Sequence, residues 1–159
     1  MRRTLYAVLA AVALAPLAAH AATATATFTV TATVTNVCKI AVPANVTFAA
    51  FDVTGPAQTA TNTVNVNCTK GAAYNVTMAS ANSWTLNAGA PSTDKLPYVI
   101  YQPDASGNAA QTTAWDATHA WAFTSTSNAT KALVMTVKVS PADVAAGSYT
   151  DTVTATVNF

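Results

Sequence analysis

An antiparallel β-sandwich is the fold class that this sequence predicts, on three observations. Apolar residues and threonines alternate strictly over long stretches, above all at 24–34 and 148–159. Shorter alternating runs fill the middle of the chain and are parted by Gly, Pro and Asn turn clusters. No stretch carries a convincing helical period. The 159 residues suit one domain with a real core, and no repeat of roughly 20–50 residues marks a solenoid or propeller.

The chain opens with a positive segment, Met1-Arg2-Arg3-Thr4, and an apolar run over residues 5–19 that Pro16 interrupts. Ala19-His20-Ala21 then offers the small residues that a signal peptidase reads. The run is shorter than the ~20 residues needed to cross a bilayer. A signal peptide over 1–21 is therefore expected rather than a membrane anchor, with Ala22 or Ala24 as the mature start. From there Ala24, Ala26, Phe28, Val30, Ala32 and Val34 share one face, and threonines occupy every odd position from 23 to 35. Period two with β-branched residues in every second place is strand chemistry. Cys38, Ile40 and Val42 keep the even parity after a break at Asn36, and Pro43 ends or bends the run.

Residues 46–53 read as the next strand, closing at Thr54-Gly55-Pro56. In residues 61–68, Val64, Val66 and Cys68 point inward against Asn65 and Asn67. Thr69-Lys70-Gly71 makes a hairpin turn into 72–79, where Tyr74, Val76 and Met78 share a face. Residues 80–93 read as loop. Residues 96–101 read as a strand in which Pro97 suits an edge or a strand start. A turn cluster fills 103–108, and 115–124 is poorly periodic. Leu133, Met135, Val137 and Val139 alternate within 131–139, and a connector over 141–147 has room for one helical turn. The last strand, 148–159, sets Val153, Ala155, Val157 and Phe159 against Thr152, Thr154, Thr156 and Asn158.

Composition narrows the function. Only 8% of the residues are charged, and after Arg2 and Arg3 come five lysines, six aspartates and no glutamate or arginine. No basic stripe is left to neutralise phosphates, so nucleic acid is excluded as a partner. So little charge fits a protein that assembles better than a freely soluble cytosolic enzyme. Export also places Cys38 and Cys68 in an oxidising space, where two cysteines allow one pairing. A Cys38–Cys68 bridge would close a loop of about 30 residues, worth roughly 3–4 kcal/mol. Two free buried thiols are the alternative.

Chemistry that would make an enzyme is missing. His119 is the single histidine after the leader, and there is no G-x-S-x-G. The six aspartates sit mostly at turns, where their local hydrogen bonds are favoured, and spacing alone leaves a glycosidase-type pair among them as the minor alternative. No catalytic residue, metal site or cofactor is expected. Residues 104–108 lack the dense carboxylates of a calcium loop and read as a turn. Trp84, Trp115 and Trp121, with Tyr98 and Tyr101, either form a sugar-binding platform or pack the sandwich, and packing is the favoured reading. Three N-x-T matches, at Asn45, Asn75 and Asn128, are what chance gives in a chain with 28 threonines. Asp151 shares the parity of Val153, which puts it at the rim or beside a buried donor.

Only Thr35-Asn36-Val37 separates the N-terminal strand from Cys38, with no glycine for a tight hairpin back. An exposed alternating strand aggregates unless it is paired, and another copy is the economical partner for an exported chain. Four segments bear on this: 28–34 leading to Cys38; 64–74, with Cys68-Thr69-Lys70-Gly71; Leu96-Pro97-Tyr98-Val99-Ile100-Tyr101; and Gly147-Ser148-Tyr149-Thr150-Asp151 with the strand after it. Together they resemble spore coat protein U-type domains, which include subunits of archaic (Csu-like) chaperone–usher pili. The likeness spans nearly all of the mature chain. It departs from the family's usual pattern over 84–94, which has neither an arginine nor a glycine cluster.

The resemblance implies an incomplete immunoglobulin-like sandwich, 37–159, that lacks its final strand and is completed by donor-strand exchange. Residues 22–36 would be the donor strand, with Phe28, Val30, Ala32 and Val34 as its buried side chains. Val153, Ala155, Val157 and Phe159 would line one side of the acceptor groove. The implied partners are a periplasmic chaperone, an outer-membrane usher and other pilus subunits of the same kind. The implied destination, by way of the periplasm, is a fimbrium at the cell surface that serves adhesion and biofilm formation. Two rivals stand beside this reading: a secreted spore-coat or surface protein that completes its own sandwich, and a lectin-like adhesin.

Overall fold

The computed structural model describes residues 22–42 and 44–159. The expected signal peptide over 1–21, and the bend expected at Pro43, lie outside the described residues. The chain divides into two units, one ending at Thr33 and the other Val34–Phe159. In the first, residues 22–33 carry no ladder, and Phe28 and Val30 are 88% and 81% exposed.

The second unit is an all-β antiparallel sandwich of eight strands. They are β1 (Cys38–Ala41), β2 (Gln58–Cys68), β3 (Ala73–Ser80), β4 (Thr85–Asn87), β5 (Lys95–Tyr101), β6 (Trp121–Thr124), β7 (Lys131–Val139) and β8 (Val153–Asn158). One sheet has the order β1-β2-β7-β5-β4 and the other β6-β3-β8. Cys38 and Cys68 face each other across the β1–β2 ladder, with Cα atoms 4.1 Å apart, and are joined as a disulfide. No helix occurs among the described residues.

Period-two alternation sends one face of each strand inward. Val64 and Val66 from β2, Leu133, Met135, Val137 and Val139 from β7, and Ile100 from β5 meet Tyr74, Val76 and Met78 from β3. Trp115 is wholly buried among them, and its Nε1 donates to the Val76 carbonyl at 2.7 Å. Trp121 is buried too, and Trp84 packs edge-on against Tyr98 at 5.8 Å. The tryptophans thus pack the sandwich rather than line an open platform.

Several elements differ from the sequence expectation. Residues 46–53 form no strand. Asp52 Oδ1 accepts from the Thr54 backbone N–H at 2.8 Å, and its carbonyl accepts from Gly55, so local turn bonds replace a ladder. Val46, Phe48, Phe51 and Val53 still pack against the core as an irregular lip. The expected loop over 80–93 contains β4, and the poorly periodic 115–124 contains β6. The last strand shortens to Val153–Asn158 because Asp151 is drawn into a polar cluster, and the connector before it has no helical turn. Pro97 lies within β5 on the stretch that pairs with β4, while pairing with β7 starts one residue later, at Tyr98.

Candidate functional site: a groove beside the last strand

β8 is the end strand of the three-stranded sheet. Its ladder with β3 sets Val153 opposite Ser80, Ala155 opposite Met78 and Val157 opposite Val76. These neighbours differ sharply in cover. Val76 and Met78 are 0% and 2% exposed, whereas Val153 is 36% exposed and Ala155 and Val157 are half-buried. The inward face of β8 is apolar and only partly roofed.

Backbone polarity points the same way. The Ala81 N–H donates to the Thr152 carbonyl at 2.9 Å, one step beyond the ladder and in its register. Hydrogen-bonded pairs therefore fall at the even positions of β8, so Val153, Ala155 and Val157 turn their N–H and C=O groups away from β3. Among the described residues no strand pairs with that edge. The same reasoning applies to β1, the end strand of the other sheet. The Thr69 N–H donates to the Val37 carbonyl at 2.9 Å, which leaves the backbone groups of Cys38 and Ile40 facing outward.

A groove of about 1020 Å³ opens beside β8. Its floor comes from β5 and β7 (Ile100, Met135, Val137) and from Met78 on β3. One wall is Val153 and Ala155 of β8; the irregular 44–53 lip and the 144–151 connector form the rest. Apolar floor residues and a bare strand edge suit an extended peptide better than a charged small molecule.

A polar cluster closes one end. Asp151 Oδ2 accepts from Ser80 Oγ and from the Tyr98 hydroxyl, both at 2.5 Å. Asp151 Oδ1 accepts from the backbone N–H of Asn82 at 3.1 Å and of Thr152 at 2.7 Å. Ser80 Oγ in turn accepts from the Trp84 N–H at 2.7 Å. Desolvation would raise the Asp151 pKa, but the bonds from Ser80, Tyr98 and the backbone outweigh it and hold the carboxyl below its ordinary value. Burial, with the bond to Asp151, pushes the Tyr98 phenol well above its own. The cluster ties β3, β5 and the start of β8 together across the two sheets. A second aspartate, Asp94, accepts from the Ala145 N–H at 2.9 Å and steadies the connector.

Residues 24–156 match the family model of the Spore Coat Protein U domain. The chain belongs to this family. No curated protein matches it. Among solved structures it resembles a chain of the CsuC–CsuE chaperone-tip adhesion subunit pre-assembly complex, from archaic chaperone–usher Csu pili of Acinetobacter baumannii. The TM-score is 0.52 at 21% identity, over 80% of this chain and 40% of that one. At that identity the likeness is one of fold, and this chain spans well under half of its counterpart.

Two of the segments on which the sequence resemblance rested, Leu96-Pro97-Tyr98 and Gly147–Asp151, meet in space through the Tyr98–Asp151 hydrogen bond. Asp151 thus sits beside buried donors and not on a free rim. Of the four expected groove residues, Val153 and Ala155 line the groove. Val157 packs against the core outside it, and Phe159 lies beyond β8, 61% exposed. β1 comes within 8 Å of β8 by Cα distance, closer than the two strand spacings, about 9.5 Å, that an intervening strand would need. On the N-terminal side Phe28, Val30 and Val34 are at least 80% exposed, and Ala32 is exposed as well. Sequence reasoning missed the groove floor and the lip. Parity at Ile100, Met135 and Val137 marked the floor as inward, but nothing marked it as lining a groove.

Proposed function

We propose that this chain is a structural subunit of an extracellular pilus built by a chaperone–usher pathway. It polymerises by laying its N-terminal strand, 22–36, into the groove of a neighbouring copy, with β1 moving away from β8 as the strand enters. The observation that carries this reading is β8, an apolar strand whose inward face is partly bare and whose outer edge has no ladder partner among the described residues. The exposed alternation of Phe28, Val30, Ala32 and Val34 supplies a matching side chain at every second residue.

Side-chain burial alone does not carry insertion. Burying Phe28, Val30 and Val34 contributes roughly 1.5–3 kcal/mol each. Ordering the segment costs about 1 kcal/mol or more per residue, so strand hydrogen bonds along the bare edge are needed to tip the balance. A groove of this kind is a hazard while it is empty. A periplasmic chaperone covers it until an outer-membrane usher delivers the next subunit. The fibre then stands at the cell surface, where it serves adhesion and biofilm formation.

Replacing Phe28 or Val30 with aspartate tests the reading. Wild-type subunits, co-expressed with a cognate chaperone and usher, should give heat-resistant oligomer ladders and fibres. The aspartate variants should remain as folded, chaperone-bound monomers. Normal fibres from either variant, or a wild-type chain that persists alone as a stable monomer, would overturn the proposal.

A further inference from the structure

The root of the N-terminal segment is held at one place. The Val37 N–H donates to Thr69 Oγ1 at 3.1 Å, and the Thr69 N–H donates back to the Val37 carbonyl at 2.9 Å. Thr69 Oγ1 also donates to the Thr35 carbonyl at 3.3 Å. The next residue, Cys38, is bonded covalently to Cys68, 30 residues further along the chain. Cys68 ends β2, and residues 69–72 turn directly into β3, the ladder partner of β8.

The consequence concerns force. If a neighbouring copy is seated beside β8, as the proposed function holds, a pull along the fibre enters each subunit at residue 37 and leaves through β8. We propose that the Cys38–Cys68 bridge, backed by Thr69, is a mechanical anchor that passes this tension straight into β3 and so to β8. Residues 39–67 are taken off the force path. They include the three residues of β1 after Cys38 and the irregular lip, the weakest part of the sandwich to peel. β1 holds to β2 by a short ladder that pulling at Val37 would open one bond at a time. The six-pair β3–β8 ladder, by contrast, is reached directly through the bridge.

The test stretches single assembled wild-type fibres, oxidised and then reduced in place with a phosphine, so that folding and assembly precede the loss of the bridge. Oxidised fibres should show no early step. Reduced fibres should yield first at lower force, with an added extension of up to about 70 Å per subunit as residues 38–57 peel away before β2 gives. Oxidised Thr69→Val fibres should show no such step, because the covalent path survives. Identical first-yield force with no added step after reduction would overturn the anchor. So would fibres that fall apart on reduction without load, or an early step in oxidised Thr69→Val fibres. Failure of the wild-type chain to form fibres overturns the functional reading and the anchor with it, an outcome distinct from the others.

Discussion

Tyr98→Phe and Asp151→Ala, made singly and together, probe the polar cluster at the end of the groove. Tyr98 is 8% exposed and its hydroxyl donates to Asp151 Oδ2 at 2.5 Å. Phenylalanine keeps the ring against Trp84 and removes only that bond, so the loss should be about 1.5–2 kcal/mol, as for a hydrogen bond to a charged acceptor. Asp151→Ala takes the acceptor from Ser80, Tyr98 and two backbone N–H groups at once. Its cost should be about 2–4 kcal/mol, with partial solvent access keeping it from the top of the range for buried networks. The two share a bond, so the double variant should fall short of the sum by about 1–2 kcal/mol. Urea unfolding in a Phe28→Asp background, with the groove filled by an added peptide of residues 22–36 so that the subunit stays monomeric, measures all three by tryptophan fluorescence.

A pH series adds a sign. The Asp151 pKa is depressed in the folded state, so its contribution is fully present above the unfolded value and is lost as pH falls through the folded one. The gap between wild type and Tyr98→Phe should hold steady from pH 7 to about 5 and narrow only below about 4. Additive single losses, or a gap that changes near neutral pH, would refute the account of this cluster.

Two further outcomes follow from local geometry. Gly107 has φ +96°, and a Cβ there would lie 2.5 Å from the Ala132 carbonyl, so Gly107→Ala should cost about 2–4 kcal/mol and lower the urea midpoint. Trp115→Phe should cost about 2–4 kcal/mol in the same assay, since it opens a cavity in a fully buried site and removes the indole bond to the Val76 carbonyl.

Much of the sandwich was legible because period two survives in the strands that build the core. β7 lies where Leu133, Met135, Val137 and Val139 place it, and β3 and the inner half of β2 agree with the parity of Tyr74, Val76, Met78, Val64 and Val66. The disulfide was legible from compartment and count. The 46–53 lip was not, because its apolar residues promise a strand while Asp52 spends its hydrogen-bonding capacity on its own turn. β4 and β6 were hidden for the opposite reason. Each is three or four residues long, too short for a period to declare itself, and each exists because a longer neighbour offers it an edge.

The groove itself sets the limit of what alternation can say. β3 and β8 carry the same inward pattern and are ladder partners, yet Met78 is buried and Val153, one step along the facing strand, is not. Parity fixes which way a side chain points; burial depends on how many neighbours stand over it, and an edge strand has one fewer. The same holds for the polar end. Asp151 on an inward position looks like an error in the pattern until Tyr98 and Ser80, 53 and 71 residues away in sequence, are seen to converge on it. An apolar strand with an unpaired edge, fixed at one end by a cross-sheet aspartate, costs stability in an isolated molecule. On the proposed function the missing neighbour arrives from outside, and this is why the bare face of β8, more than any single side chain, carries the proposal.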